Sequence, residues 1–122
     1  VSPYRSYSKQ KTLYNNYCKK NGQASADRFS ARPGCSEHQT GLSLDINCAS
    51  FGKHFEKTEE YAWLQKNSYK YGFILRFPQG KEYITGYRYE PWHYRYVGVD
   101  AATQIVKLGI TFEEYYAYYV ER

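Results

Sequence analysis

Apolar positions recur at helical spacing from about Lys9 to Lys20, where Leu13, Tyr14, Tyr17 and Cys18 share one stripe. Ser8 in front and Gly22 behind supply the start and stop residues of such a helix. From Gln23 to Gly41 no period persists and Arg32-Pro33-Gly34 interrupts the chain, so a long ordered loop is expected. Loops of that length in a small domain are usually functional. Leu42 to Asn47 then alternates, with Leu42, Leu44 and Ile46 on one face and Ser43, Asp45 and Asn47 on the other. This predicts a half-buried strand whose polar face presents Asp45 to a groove above the sheet. A second helix is expected from about Glu59 to Tyr71, with Thr58 as N-cap, Glu59 and Glu60 at the positive end of its dipole and Gly72 as its stop. Phe73 to Phe77 reads as a short buried strand, and Pro78 to Tyr89 as a turn-rich connection or loose hairpin around Gly80 and Gly86. Trp92 to Val97 is a further strand, with Trp92, Tyr94 and Tyr96 on one face and His93, Arg95 and Val97 on the other. Two short helices close the chain, one from near Asp100 to before Gly109, the other from Thr111, where Glu114 gives a capping-box spacing. The sum is an α+β fold, a small, mostly antiparallel sheet with flanking helices.

Composition narrows the class. The 122 residues suffice for one domain, 1–122, that buries a core without needing disulfides or metal to fold. No repeat or Pro-, Gly- or Ser-rich linker divides them, and no apolar run reaches the length of a bilayer span, so no membrane insertion within the chain is expected. The net charge of +5 invites a nucleic-acid partner, but the basic residues are dispersed and Lys19-Lys20 is their only adjacent pair. A backbone-tracking protein concentrates its cations, so we expect no nucleic acid and at most a mild attraction to an anionic surface such as a cell wall. The 16 tyrosines suit sugar, peptide or base binding equally. Cys18, Cys35 and Cys48 form no CxxC pair, which excludes zinc-ribbon and thioredoxin-type chemistry and leaves a Cys18–Cys48 or Cys35–Cys48 bridge open. With Val1 first and no basic-then-apolar leader, we expect a processed catalytic fragment whose signal or anchor segment is elsewhere.

Candidate chemistry gathers around two histidines, in Ser36-Glu37-His38-Gln39-Thr40-Gly41-Leu42-Ser43-Leu44-Asp45 and in Glu90-Pro91-Trp92-His93. A catalytic zinc site needs His nitrogens and carboxylate oxygens converging on the ion, with one position left for water. His38, Asp45 and His93 supply such a set, and two strands could bring them together. Glu90 sits near His93 without being needed as a ligand, where a general base for the attacking water belongs. From spacing alone, a surface or hydrogen-bonded core histidine is the commoner outcome, and the HExxH signature of helical zinc proteases is absent.

Ser36, His38, Gly41, Asp45, Glu90 and His93 match the pattern Ser-x-His-x-x-Gly-x-x-x-Asp followed by Glu-x-x-His. Agreement continues through Tyr4-Arg5-Ser6, Gln10, Ser30-Ala31-Arg32-Pro33-Gly34 and Tyr71-Gly72-Phe73, covering nearly the whole chain in order. In these residues the chain resembles the zinc D-alanyl-D-alanine carboxypeptidases of the VanY type and the related LdcB-type L,D-carboxypeptidases. The resemblance implies zinc held by His38, Asp45 and His93 in a groove above the sheet. Glu90 would take a proton from the nucleophilic water and pass it to the leaving amine. Arg5 would bind substrate or the developing oxyanion, with Gln10 and Ser36 holding the C-terminal carboxylate of the peptide. It implies a monomeric bacterial enzyme, secreted or at the cell surface, that trims D-alanine from peptidoglycan stem peptides. D,D and L,D cleavage both stay open; the Arg and Gln spacing leans to L,D. A peptidoglycan endopeptidase using the same metal set is the nearest alternative, and a zinc-stabilised cell-wall binding module, without catalysis, comes from a different class.

Plainer roles compete at each position. Arg5 could be a surface arginine, Ser36 a turn cap and Gln10 a solvated helix residue, while Trp92 is expected to pack behind the metal strand. Glu37 and His54 read as solvated, His54 as a non-ligand. Ser43 stands where the family often has a small apolar residue, and a buried serine there needs a hydrogen-bond partner. Cys35 reads as a small packing residue, with an approach to the zinc or oxidation as the alternative.

Overall fold

In the computed structural model, residues 2–49 and 54–121 are described. Helix α1, Tyr7–Asn21, begins earlier than the apolar stripe suggests, because Ser6 and not Ser8 accepts the capping bond from the Lys9 amide. Its buried face is carried by Gln10 and Tyr14, and Gly22 ends it at φ 79°. The expected loop is broken by a short helix α2, Gln23–Ala26, and by a 3₁₀ turn over Glu37–Thr40. Strand β1, Ser43–Asp45, follows. Thr58 caps α3, Glu59–Asn67, which tightens into a 3₁₀ turn over Ser68–Tyr71 and stops at Gly72. Strand β2 is Phe73–Leu75, α4 is Glu82–Thr85 and β3 is His93–Tyr96. Helix α5, Val99–Leu108, ends at Gly109, and α6, Phe112–Tyr119, opens with the reciprocal Thr111–Glu114 capping box.

The three strands form one antiparallel sheet in the order β1-β3-β2. Asp45 pairs with His93, and Arg95 lies between Ser43 and Ile74. Because side chains alternate across a strand, these residues share one face, while Leu44, Tyr94, Tyr96, Phe73 and Leu75 share the other. On the first face Ile74 packs with Ala102 and Ile105 of α5, and Phe112 and Tyr115 of α6 close over them. Burial of the Ile74 and Ile105 side chains contributes about 1.5–3 kcal/mol each. The end of that face bearing Asp45 and His93 remains open. The opposite face meets Trp63 and Leu64 of α3, and the buried Tyr94 hydroxyl accepts a bond from Gln65 Nε2 at 2.9 Å.

Burial along β1 runs against the simple alternation. Leu42 is 42% exposed while Ser43 is buried, because the polar face is the one covered by the site. The Ser43 hydroxyl finds its partner in Glu37 Oε2 at 3.1 Å. Cys18 and Cys35 are free thiols, so neither of the bridges left open by the spacing forms, and Cys35 is exposed and not a packing residue. Among the described residues no helix is long and apolar enough to cross a membrane.

Candidate active site

Three short segments deliver the histidines and the aspartate. The 3₁₀ turn ending at Gly41, which takes a left-handed φ of 75°, turns His38 inward, while β1 and β3 present Asp45 and His93 side by side. His38 Nε2 lies 3.3 Å and His93 Nδ1 3.2 Å from the same oxygen, Asp45 Oδ1. The two rings meet edge to face, with centroids 4.9 Å apart. His38 Nδ1 lies 2.7 Å from the Pro3 carbonyl, which can only accept, so the proton of a neutral His38 sits on Nδ1. His93 Nε2 faces Glu37 Oε2 at 3.4 Å, so its proton belongs on Nε2. Each inner nitrogen then turns a lone pair toward Asp45 Oδ1, a buried oxygen with no hydrogen-bond partner.

Two nitrogens and an oxygen, within 4.8 Å of one another and all presenting lone pairs, make a donor set that a divalent cation satisfies. The outer nitrogens are held by a carbonyl and a carboxylate, the arrangement that orients metal-binding imidazoles. Without a cation the cluster favours a proton. Burial opposes the charge on Asp45, yet His38 and His93 hold its carboxyl well below the usual range. Burial likewise lowers His93, but Asp45 and Glu37 together raise it above its ordinary value.

Glu90 is buried, and its Oε2 stands 3.7 Å from His93 Nδ1 across the Glu90-Pro91-Trp92-His93 turn. Burial pushes its carboxyl up to about 7, with His93 opposing and Asp45 adding to the rise. Arg5 is fixed from three sides: Nε donates to Ser2 Oγ at 3.0 Å, Nη1 to Gln10 Oε1 at 3.1 Å and Nη2 to Asp45 Oδ2 at 3.1 Å. The segment carrying it is stitched in place, since the Arg5 amide bonds the His38 carbonyl and the Asp45 amide the Ser2 carbonyl. Arg5, Ser36, His38, Asp45, Glu90 and His93 all line a cavity of about 380 Å³, walled further by aromatic side chains that include Phe77, Tyr87 and Trp92.

Gln10 is not the solvated helix residue of the plainer reading: it is 1% exposed, lies outside the cavity lining and bonds Arg5, Ser30 and the Ala31 carbonyl, so what the structure shows of it is support for Arg5. Ser36 makes no side-chain capping bond for the 3₁₀ turn and is among the residues that line the cavity. Trp92 lies in the turn before β3 and lines the cavity. His54 is exposed and pairs with Glu56, away from the cluster.

Glu37 also departs from its expected solvated state. It bonds Arg76, Arg95, Ser43 and His93, and although burial alone would raise its carboxyl, His93, Arg76 and Arg95 hold it at about 2. Its position between Ser36 and His38 was the only sequence signal, and it does not reveal donors that arrive from β1, from β3 and from Arg76 just after β2.

The fold and site define a small α+β domain with a candidate mononuclear metal centre and an adjacent carboxylate. The family model described as VanY, D-alanyl-D-alanine carboxypeptidase, matches residues 1–99, and the chain belongs to that family. It is 45% identical over 124 residues to a D-alanyl-D-alanine carboxypeptidase of Enterococcus faecalis, covering 94% of this chain and 46% of that protein. The chain thus spans about half the length of the curated relatives it matches. Among solved structures, the LD-carboxypeptidase LdcB, described for its peptidoglycan recognition, superposes with a TM-score of 0.88 at 48% identity over 96% of this chain and 56% of that one. A variant of the vancomycin-resistance D,D-pentapeptidase VanY in complex with Zn(II) gives 0.83 at 42% identity, over 94% of this chain and 68% of that one.

Proposed function

We propose that this domain is a zinc-dependent carboxypeptidase that removes the C-terminal D-alanine from peptidoglycan stem peptides outside the cytoplasm. The observation that carries the reading is the convergence of His38 Nε2 and His93 Nδ1 on the buried Asp45 Oδ1, beside the Glu90 carboxylate in one cavity. The Zn(II) complex of the VanY variant and the LdcB likeness support it. His38, Asp45 and His93 would hold the ion, which supplies Lewis acidity for the scissile carbonyl and makes water acidic enough to attack at neutral pH.

The chain's own residues do the rest. Glu90, buried and without a strong cationic clamp, accepts a proton from the attacking water and returns it to the departing amine of D-alanine. Arg5 commits three of its five N–H groups to Ser2, Gln10 and Asp45, so two remain for a peptide carboxylate or a developing oxyanion. The Ser36 hydroxyl adds a further donor on the cavity wall. Exopeptidase action follows from this capacity to hold a free carboxylate.

The test is mass spectrometry of two synthetic stem peptides, one ending in D-Ala-D-Ala and one in a diamino acid followed by D-Ala, with and without chelator. Loss of a single alanine that the chelator stops is expected, and the peptide that shortens assigns D,D or L,D cleavage. If neither shortens while one equivalent of zinc is bound, the carboxypeptidase reading fails in favour of an endopeptidase or a binding module.

A further inference from the structure

Resting on the reading of His93 as a metal ligand, we propose that Glu37 is the positioning residue for His93 and that helix α6 belongs to the metal site through an Arg76–Glu113 clasp. Helix α6 lies beyond residues 1–99, the part matched by the family model.

A carboxylate offers about four lone-pair directions. In Glu37 all four are taken. Oε1 accepts from Arg76 Nε at 2.7 Å and faces Arg95 Nη1 at 3.2 Å, while Oε2 accepts from Ser43 Oγ at 3.1 Å and faces His93 Nε2 at 3.4 Å. The carboxylate therefore cannot turn away from His93, and the imidazole keeps its proton on Nε2 and its lone pair, on Nδ1, toward Asp45. Phe77 packs on the same imidazole with centroids 4.8 Å apart, which limits its tilt but does not distinguish one ring nitrogen from the other. Glu37 does that from the outer side, at Nε2, opposite the Nδ1 that faces Asp45 and Glu90.

Arg76 is itself buried, and a buried charge must be paired. Its second partner is Glu113, whose Oε1 accepts from Nη2 at 2.6 Å. Glu113 stands in the first turn of α6, which the Thr111–Glu114 capping box fixes. The Arg76 guanidinium also sits over the Phe77 and Phe112 rings, at 4.9 Å and 5.1 Å. A continuous line of contacts thus runs from α6 through Glu113, Arg76 and Glu37 to His93.

A plainer reading makes this ion cluster a fastening of α6 to the sheet with no bearing on the metal. The two separate on zinc affinity measured in folded protein. The experiment uses the full chain as wild type, Glu37→Gln, Glu113→Gln and the double variant. It measures zinc affinity by competition with a chromophoric chelator, the visible spectrum of the cobalt(II) form and the melting temperature in excess chelator. Glu37→Gln keeps the shape but turns an NH₂ toward two of the four donors, so zinc affinity is expected to fall about 10–100-fold with a shifted cobalt band. Glu113→Gln keeps an acceptor for Arg76 and loses the charge; a smaller loss, about threefold or more, is expected. Because Glu113 acts through Glu37, the double variant should match Glu37→Gln alone within about twofold.

Wild-type zinc affinity and cobalt spectrum in both folded single variants would overturn the proposal, as would full additivity in the double variant. If Glu37→Gln does not fold, Glu113→Gln decides alone: weaker affinity with a shifted band supports the clasp, and wild-type values sink it. A wild-type chain that binds no zinc defeats the metal reading and this inference together, whereas zinc-binding wild type with unchanged variants defeats only the inference.

Discussion

Glu90 approaches His93 to 3.7 Å but is not one of the three converging donors, so it can be altered without removing a ligand. Glu90→Gln should lower kcat by about 10²–10⁴-fold while zinc content per chain stays at the wild-type value, because the amide cannot take or return a proton. Unchanged turnover in a metal-replete variant would exclude Glu90 as the base. Gln10 makes a different case. Gln10→Ala would strip a partner from Arg5 Nη1 and from the Ala31 carbonyl, at a cost of about 1–3 kcal/mol in urea unfolding, with kcat/KM falling as Arg5 loses its lateral support. Wild-type stability would show that water replaces the amide at no cost. The grouping of His38, Asp45 and His93 beside Glu90 was legible through the two motif blocks shared with the VanY and LdcB families, whereas spacing alone favoured a surface or hydrogen-bonded core histidine. Gln10 and Glu37 were not, since a polar residue beside a motif reads as solvated until the partners from other segments are known. Burial of a polar group is a property of the tertiary structure, and a linear pattern does not contain it.

Element ends were the more readable part of the fold, because caps are local. Thr58, the Thr111–Glu114 box, Gly72 and Gly109 each act where the pattern puts them. Ser8 lost to Ser6 because both flank the same turn and only backbone geometry separates them. Gly72 has a stricter requirement than a helix stop: at φ 84° an added Cβ would stand 2.6 Å from the Tyr96 ring and 3.1 Å from the Gly98 carbonyl carbon. Gly72→Ala combines left-handed strain with overpacking against backbone, and a loss of about 2–4 kcal/mol is expected on urea unfolding. A loss below about 1 kcal/mol would mean that β2 and β3 can separate there. At the other end of the molecule α1 is tied to the chain before the site by Asp27, which accepts from the Tyr14 hydroxyl at 2.7 Å and from Arg32. Those bonds, Arg32 first and Tyr14 next, bring the Asp27 carboxyl from the ordinary 3.8 down to about 2. A depressed carboxyl contributes stability that is complete above its unfolded value and is lost as pH falls through the folded one. The wild-type chain should therefore lose stability between about pH 4 and pH 2, and Asp27→Asn should be less stable at neutral pH with a shallower decline in that window. Parallel pH profiles for the two proteins would remove Asp27 from the account of acid stability.

At the scale of the whole molecule the three candidate ligands come from a 3₁₀ turn and two strands, and the Ser2–Arg5 segment is bonded to two of them. A cation bound there joins parts of the chain that folding must first bring together, so binding and stability are linked. The hydrophobic centre around Ile74, Ala102 and Ile105 lies apart from that cluster, toward α5 and α6. A chain of 122 residues is long enough to bury a core without relying on a metal. Chelated protein should consequently unfold in one cooperative transition, unlike a zinc finger, whose fold disappears with its ion. Added zinc should then raise the transition by an amount that grows with the logarithm of its free concentration, reaching about 2.7 kcal/mol at a hundredfold excess over Kd. Thermal unfolding at buffered zinc concentrations measures this directly, with His93→Ala as the chain that should show no dependence. A wild-type melting curve indifferent to zinc would mean that the converging nitrogens and oxygen are satisfied by a proton. Loss of all cooperative unfolding in chelator would instead place the metal among the elements that hold the sheet together.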